Sequence, residues 1–553
     1  MNNLLWIKLK TVTEWERWLL DKATGMAKSS AKGGFKLFIG VSVSSIVTAV
    51  GLILVLRLLA NPDEYGIIIT ALIFPAILGL FKDWGTNSAM IKYLAQYRSE
   101  NKPQSVKNVM VTGLLFELVT GVLLTLLCFL LADFLATSVF QLPEAKVLIE
   151  VASLTILADS FLKVSQSTFI GLERLEFHSL TLILNAGIRC FLAPLLVFLG
   201  YSVLGAIQGQ IVAQLTAGII GIIIFYVAFF RNPKKKSLHK LDITGTLKTL
   251  LRYGLPLAVS GIIGGFLPQF YNTLLTQSFT IANSTNYTTA LGNFQAAVNF
   301  TVIITFFTVP IATVLFPAFS KLKAEEEKKT LRVVFQSSVK YGALLTLPVT
   351  LMIMVLSEPL VFAIVGTEYT EAPFFLTLYS IIYLYSALGN LSLWNFLNGQ
   401  GKTQITMKLA LLTLGLGLLL GWILIPQFGV VGLIVANSIA GFPSLFTGLW
   451  WIRKHFGATI DLVSSAKILL ASGIAAVVTS LLLSQLNYNY WIELVTGGVF
   501  FLVVYLVIAP LIRAVDKKDV RHLREMLSGL GPFSYVFNIP LKIMEKLLGV
   551  FEF

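Results

Sequence analysis

Cysteine and histidine are nearly absent from these 553 residues: two of the first and four of the second. Cys128 and Cys190 both fall inside apolar runs, where thiols behave as small apolar side chains rather than as a disulfide framework or a zinc site. His178, His239, His455 and His522 never cluster, and no HExxH, Walker loop or nucleophile elbow occurs. No metal, cofactor or catalytic residue is therefore expected, and the chain does not read as an enzyme. Charge is scarce as well. Asp, Glu, Lys and Arg make up 13% of the chain, about half the share of an ordinary soluble domain. Such a chain cannot cover a water-facing surface of the usual kind.

What takes the place of charge is apolar length. Hydrophobic residues reach 56% and mean hydropathy +0.81. About 20 such residues cross the roughly 30 Å hydrocarbon core as a helix, and only helices and closed barrels satisfy their backbone there. Fourteen stretches qualify: 37–60, 66–82, 109–131, 147–171, 178–200, 203–229, 254–280, 288–316, 338–357, 372–397, 405–425, 429–451, 464–484 and 490–512. The expectation is an all-α polytopic membrane protein. Pro75, Pro194, Pro256, Pro268 and Pro310 predict kinks within spans.

The net charge of +14 would point to nucleic acid in a soluble protein; here the positive-inside rule accounts for it. With the N-terminus in the cytoplasm, 38 of the 42 Lys and Arg fall in cytoplasmic tails and loops, among them 231–252 with 7 and 82–107 with 5. This predicts both termini in the cytoplasm, a multi-pass protein of the cell membrane, and no nucleic-acid partner. Residues 1–36 (Leu5, Leu9, Val12 and Leu19, with Trp6, Trp15 and Trp18) and the tail 513–553 read as amphipathic segments lying at the interface. Asn283-Ser284-Thr285 and Asn286-Tyr287-Thr288 match glycosylation sequons, patterns that arise often by chance.

A weak internal repeat runs through the chain. Tyr201-Ser202-Val203-Leu204-Gly205-Ala206 matches Phe428-Gly429-Val430-Val431-Gly432-Leu433, and the turn Ile170-Gly171-Leu172-Glu173-Arg174 matches Asn398-Gly399-Gln400-Gly401-Lys402. Six spans per repeat keep both halves in the same orientation, the arrangement of parallel-repeat transporters. The domain expectation is an N-lobe at 37–230, a basic linker at 231–253, a C-lobe at 254–452 and an appended helix pair at 464–512.

Around the first two spans the chain reads Leu56-Arg57-Leu58-Leu59-Ala60-Asn61-Pro62-Asp63-Glu64-Tyr65-Gly66, then Lys82-Asp83-Trp84-Gly85 and Ile91-Lys92-Tyr93-Leu94-Ala95. This resembles the opening signature of polysaccharide-export flippases, within the multidrug/oligosaccharidyl-lipid/polysaccharide exporter superfamily. Gly171-Leu172-Glu173-Arg174 and Arg252-Tyr253-Gly254-Leu255-Pro256-Leu257 resemble the entries to spans five and seven of the same family. The resemblance implies a flippase for a lipid-linked pyrophosphate oligosaccharide or polysaccharide precursor, working among membrane lipids by alternating access; a monomer is expected, though the sequence does not fix the oligomeric state. Many relatives carry an acidic residue in span seven; here the stretch reads Pro268-Gln269-Phe270-Tyr271-Asn272, so ion coupling through that helix is not implied. The rival readings are a cation-coupled multidrug exporter of the same superfamily and a membrane-embedded polysaccharide polymerase or glycosyltransferase.

Four ionisable residues lie deep in spans, all in the first half: Glu117, Asp159, Lys163 and Arg189. Each costs about 2.5–3.5 kcal/mol at a span centre on insertion scales, so each should face a bundle interior or a wet cavity. One reading pairs Asp159 with Arg189 and Glu117 with Lys163, as ion pairs that hold the lobe together. The other lines a cavity with Arg189 and Lys163, which would engage the pyrophosphate, while Glu117 or Asp159 carries a coupling cation, H+ or Na+. Arg57, near the outer end of span one, suits an interfacial anchor or a ligand contact. Arg174 belongs to a basic vestibule that could gather an anionic head group.

Overall fold

Among the described residues the apolar runs fold as helices. The computed structural model describes residues 40–230, 241–281, 287–308, 319, 328–486, 488–517, 519–521, 524 and 534–550. The expected amphipathic segment at 1–36, part of the linker and Asn283 to Asn286 of the sequons lie outside the described residues. Among those described, every regular element is helical.

The first half holds α1 (Gly40–Leu59), α2 (Pro62–Leu80), α3 (Thr86–Ser99), α4 (Pro103–Phe134), α5 (Ala145–Gly171), α6 (Leu175–Leu196) and α7 (Ser202–Phe230). The second holds α8 (Ile243–Ile281), α9 (Tyr287–Phe300), α10 (Lys328–Val355), α11 (Ser357–Ile364), α12 (Ala372–Ser380), α13 (Asn390–Gly399) and α14 (Thr403–Phe456). α15 (Leu462–Leu483) and α16 (Tyr490–Leu511) follow, and α17 (Ser534–Val550) lies near the C-terminus. Asn61 shows how the sequence starts a helix: its side chain accepts from the Asp63 N–H at 2.9 Å, with Pro62 pre-set in the first turn.

Nine helices among the described residues are long and apolar enough to cross a membrane, or eleven if each of two bent pairs is one span. Two of the nine, Leu175–Val227 and Thr403–Phe456, run across a sharp kink and are long enough to cross twice. Dividing the two kinked helices and adding the two bent pairs gives thirteen crossings among the described residues; the expected span 147–171, which carries Glu150, Asp159 and Lys163, is not among the helices that qualify. The expected unbroken span 372–397 is in fact bent by 56° where Gly389 takes φ 82°. The expected loop 82–107 contains α3 and the start of α4.

The repeat is visible in the backbone. Ser202 has φ 43°, ψ −127°, and its counterpart Gly429 has φ 56°, ψ −130°. The second pair of turns also agrees. The N–H groups of Leu172, Glu173 and Arg174 donate to the carbonyls of Thr168, Ile170 and Phe169. Those of Gln400, Gly401 and Lys402 donate to Phe396, Asn398 and Leu397 in the same pattern. Ser202 tolerates its unfavourable backbone while its hydroxyl donates to Glu64 Oε2 at 2.5 Å. Gly429 needs no such support. Gly429→Ala should therefore cost about 1–3 kcal/mol, because the conformation is one that L side chains rarely adopt. A lowered thermal unfolding midpoint in detergent would show it.

The two halves touch at both ends. At the basic end, the turn 81–85 runs through Trp84 at φ 49° and Gly85 at φ 77°. Its backbone lies directly on Gly254 of α8, so closely that a Cβ on either glycine would strike the other's carbonyl. The Lys92 ammonium stands 3.8 Å above the Tyr253 ring beside it. At the opposite end α2 packs on α9. Asp63 accepts from the Thr288 hydroxyl, and the Asn299 amide donates to the Tyr65 hydroxyl at 2.8 Å.

Candidate functional site

A single ammonium organises the deep carboxylates. Lys82 Nζ lies 2.7 Å from Asp159 Oδ2 and 3.8 Å from Glu117 Oε2, and its side chain is 3% exposed. The expected pairs Asp159–Arg189 and Glu117–Lys163 do not form among the described residues. The reason is geometric: the turn after α2 carries Lys82 into the space between α4 and α5. That also corrects its reading as a topology cation in a cytoplasmic loop.

Around this ammonium runs a polar chain. The Asn87 amide donates to Glu117 Oε1 at 2.6 Å and to Asp83 Oδ2 at 3.0 Å, and its oxygen accepts from the Ser167 hydroxyl at 2.9 Å. Asp83 in turn accepts from the Gly85 N–H at 2.8 Å, which shapes the turn that meets Gly254. Glu117 is wholly buried, and its Oε2 has no hydrogen-bond partner. Two carboxylates thus share one ammonium, and Asp83 is tied to Glu117 through Asn87.

The remaining cations stand apart from this cluster. Lys163 is exposed and Asp159 one-third exposed. Val147 and Leu154 are the exposed apolar residues of α5. At about 100° per residue, Asp159 and Lys163 fall on the other side of the helix. They therefore open onto space inside the molecule rather than onto lipid. The same holds for α6, where exposed Phe191 and Leu195 mark one side and half-buried Arg189 lies on the other, one turn from Asn185. Arg189 has no ion pair or hydrogen bond among the described residues; the Tyr65 hydroxyl is within its electrostatic reach.

Tyr65 leads to a crevice. A cavity of about 330 Å³ lies between α1 and α9, lined by Ser44, Ser45, Thr48, Asn299, Phe300 and Ile364 among others. Asn299 both lines it and bonds Tyr65. At one end of it Arg57 reaches across the halves, donating to the Ile364 carbonyl at 2.5 Å and to that of Ala363. Arg57, itself exposed, thus clasps the end of α11. Arg174 sits at an exposed turn, 3.5 Å from Glu176 and away from the crevice lining. Tyr65 and Lys82 stand in the opening signature and Asn299 is a neutral polar residue of a span, but no sequence signal gives them, or Asn87, a role at the site. The Lys82-to-Asn87 stretch follows an apolar run and so looks like an ordinary loop.

Residues 30–323, more than half of the chain, match the family profile described as polysaccharide biosynthesis protein. The chain belongs to that family. Residues 196–508 also match the profile of the lipid II flippase MurJ, so two branches of the same exporter superfamily overlap on this one family member. Among curated relatives, an uncharacterised membrane protein of Methanocaldococcus jannaschii is 20% identical over 461 residues, covering 80% of this chain and 88% of that one. A probable low-salt glycan biosynthesis flippase, Agl15 of Haloferax volcanii, is 22% identical over 42% of this chain and 46% of its own. The capsular polysaccharide biosynthesis protein CapF of Staphylococcus aureus is 24% identical over 42% and 56%. The chain thus spans about half the length of these last two. In fold, it superposes on the lipid II flippase MurJ in an inward closed conformation with TM-score 0.69, at 16% identity, over 86% of this chain and 98% of that one. An inward-facing multidrug-resistance MATE transporter gives TM-score 0.58 at 17% identity, over 76% and 94%. The all-helical exporter fold expected from the sequence is therefore the fold of this family member.

Proposed function

We propose that the protein flips a lipid-linked pyrophosphate oligosaccharide or polysaccharide precursor across the cell membrane, by alternating access of lobes 37–230 and 254–452. The observation that carries this reading is Arg189: a guanidinium turned into the molecule, without a carboxylate, beside the Tyr65–Asn299 bond that joins the halves at a crevice. A planar guanidinium suits a pyrophosphate, with which it makes paired charge-assisted bonds. Lys163 adds a second inward cation. The crevice between α1 and α9 offers hydroxyls and apolar side chains, a suitable path for a head group whose lipid tail stays in the bilayer. A cationic drug would be opposed by Arg189 and Lys163, the cations turned into the molecule, while the inward carboxylate Asp159 is already engaged by Lys82.

Arg57 holds the outer ends together, and the turn 81–85 holds the basic ends. Transport requires each contact to open in turn, driven by differential binding to the two states. Glu117, fully buried among an excess of carboxylates, is the candidate for a coupling cation, with Asp159 beside it. Transport needs no covalent step, both termini lie in the cytoplasm, and the working unit is a monomer.

The test is leaflet translocation of a lipid-pyrophosphate oligosaccharide by purified protein in proteoliposomes, with and without a proton or sodium gradient. Protein-dependent flipping is expected, faster under one of the two gradients. Folded protein that flips no such lipid would overturn the reading.

A further inference from the structure

A second cavity, of about 230 Å³, lies at the basic end between α3, α4 and the first turns of α8. Tyr93 and Tyr97 form part of its wall, their rings 5.7 Å apart and 28° from parallel. Asn108, Asp242, Thr246 and Thr249 supply polar groups. Several of these have bonding capacity left. The Asn108 oxygen accepts from Gln104 at 3.3 Å, while its two N–H groups donate to nothing among the described residues. Asp242 gives one carboxylate oxygen to the Gly245 N–H at 2.9 Å and keeps the other. The Thr249 hydroxyl donates to the Gly245 carbonyl at 2.9 Å and keeps its lone pairs.

The chemistry of this wall narrows the ligand. Asp242 repels a phosphate or carboxylate set against it. Lys92, with its ammonium 5.1 Å from the Tyr93 ring, opposes an organic cation. An apolar ligand would strip water from hydroxyl and amide groups without replacing their hydrogen bonds. A neutral polyhydroxylated ring meets none of these objections. Each of its hydroxyls both donates and accepts, as the wall requires, and its C–H face can lie against a tyrosine ring. We propose that this cavity is a saccharide site taking one neutral pyranose ring, which bridges α3 and α4 to the first arm of α8.

That arm, Ile243–Leu255, is bent by 46° from Leu257–Ser278 and carries Gly254, the residue that meets Gly85. A sugar seated here ties the halves at their basic end. It comes either from the oligosaccharide of the cargo, in which case the site rests on the flippase reading, or from a free saccharide.

The full-length protein in nanodiscs is titrated with methyl glycosides of the common hexoses and N-acetylhexosamines, and amide hydrogen exchange is followed in parallel. At least one glycoside should bind saturably and protect 93–109 together with 242–250. Asn108→Ala and Thr249→Val should each weaken it about ten-fold, the scale of one lost hydrogen bond. No saturable binding, binding that neither substitution changes, or protection elsewhere would overturn the site. Displacement of the glycoside by a lipid-linked oligosaccharide would assign the sugar to the cargo, and failure to displace it would assign a free saccharide. Glycoside binding by protein that flips no lipid would leave the site standing while the flippase reading falls.

Discussion

Replacing Lys82 by methionine should destabilise the folded protein by about 3–5 kcal/mol, the range for a buried ion pair that loses one partner. Methionine keeps the length of the side chain, so the loss is one of charge rather than volume. Without the ammonium, Glu117 and Asp159 face each other across the gap between α4 and α5, with Asp83 held next to them by Asn87. The two carboxylates differ in what they can do next. Asp159 is one-third exposed and can draw on water; Glu117 is wholly buried and cannot. Adding Glu117→Gln to the Lys82→Met chain should therefore recover much of the loss, since a glutamine oxygen can still accept from Asn87. Adding Asp159→Asn should recover less. Thermal unfolding in detergent of the single and double variants forms a cycle that isolates these couplings. Equal stability of Lys82→Met and the parent chain would show that the cluster contributes nothing to the fold.

Much of the fold is readable from the sequence because its signals are local. A run of 20 apolar residues has one stable form in lipid, and the paired glycine turns at offsets near 228 keep the same hydrogen bonds in the structure. The break at Gly389 is not readable, because the apolar pattern continues through it and a left-handed residue leaves no mark on hydropathy. The site is harder still. Lys82 ends an apolar run, which is where topology cations belong, and only the tertiary path of the 81–85 turn carries it inward. Arg57 meets carbonyls 306 and 307 residues away, and a backbone acceptor has no sequence signature. Glu117, Asp159, Lys163 and Arg189 stand out from sequence because charge is rare in spans; their partners do not.

Arg189→Ala should reduce lipid flipping about 100-fold, which corresponds to roughly 3 kcal/mol of lost phosphate binding. Its effect on stability separates the two roles an intramembrane arginine can have. Were Arg189 half of a structural ion pair, alanine would strand a buried carboxylate and destabilise the protein by several kcal/mol. No carboxylate is bonded to it among the described residues, and its electrostatic neighbour is the Tyr65 hydroxyl, which already accepts from Asn299. Removing the guanidinium therefore relieves a desolvated charge and leaves no polar group without its bond. The unfolding midpoint should stay level or rise while flipping falls. Arg189→Lys tests what the charge does without the fork: an ammonium attracts a pyrophosphate but cannot make the paired bonds, so flipping should fall about ten-fold, between alanine and the parent chain. A fall in stability matching the fall in transport would return Arg189 to a structural role. Intact flipping in a stable Arg189→Ala chain would move the phosphate site to Lys163 or Arg57.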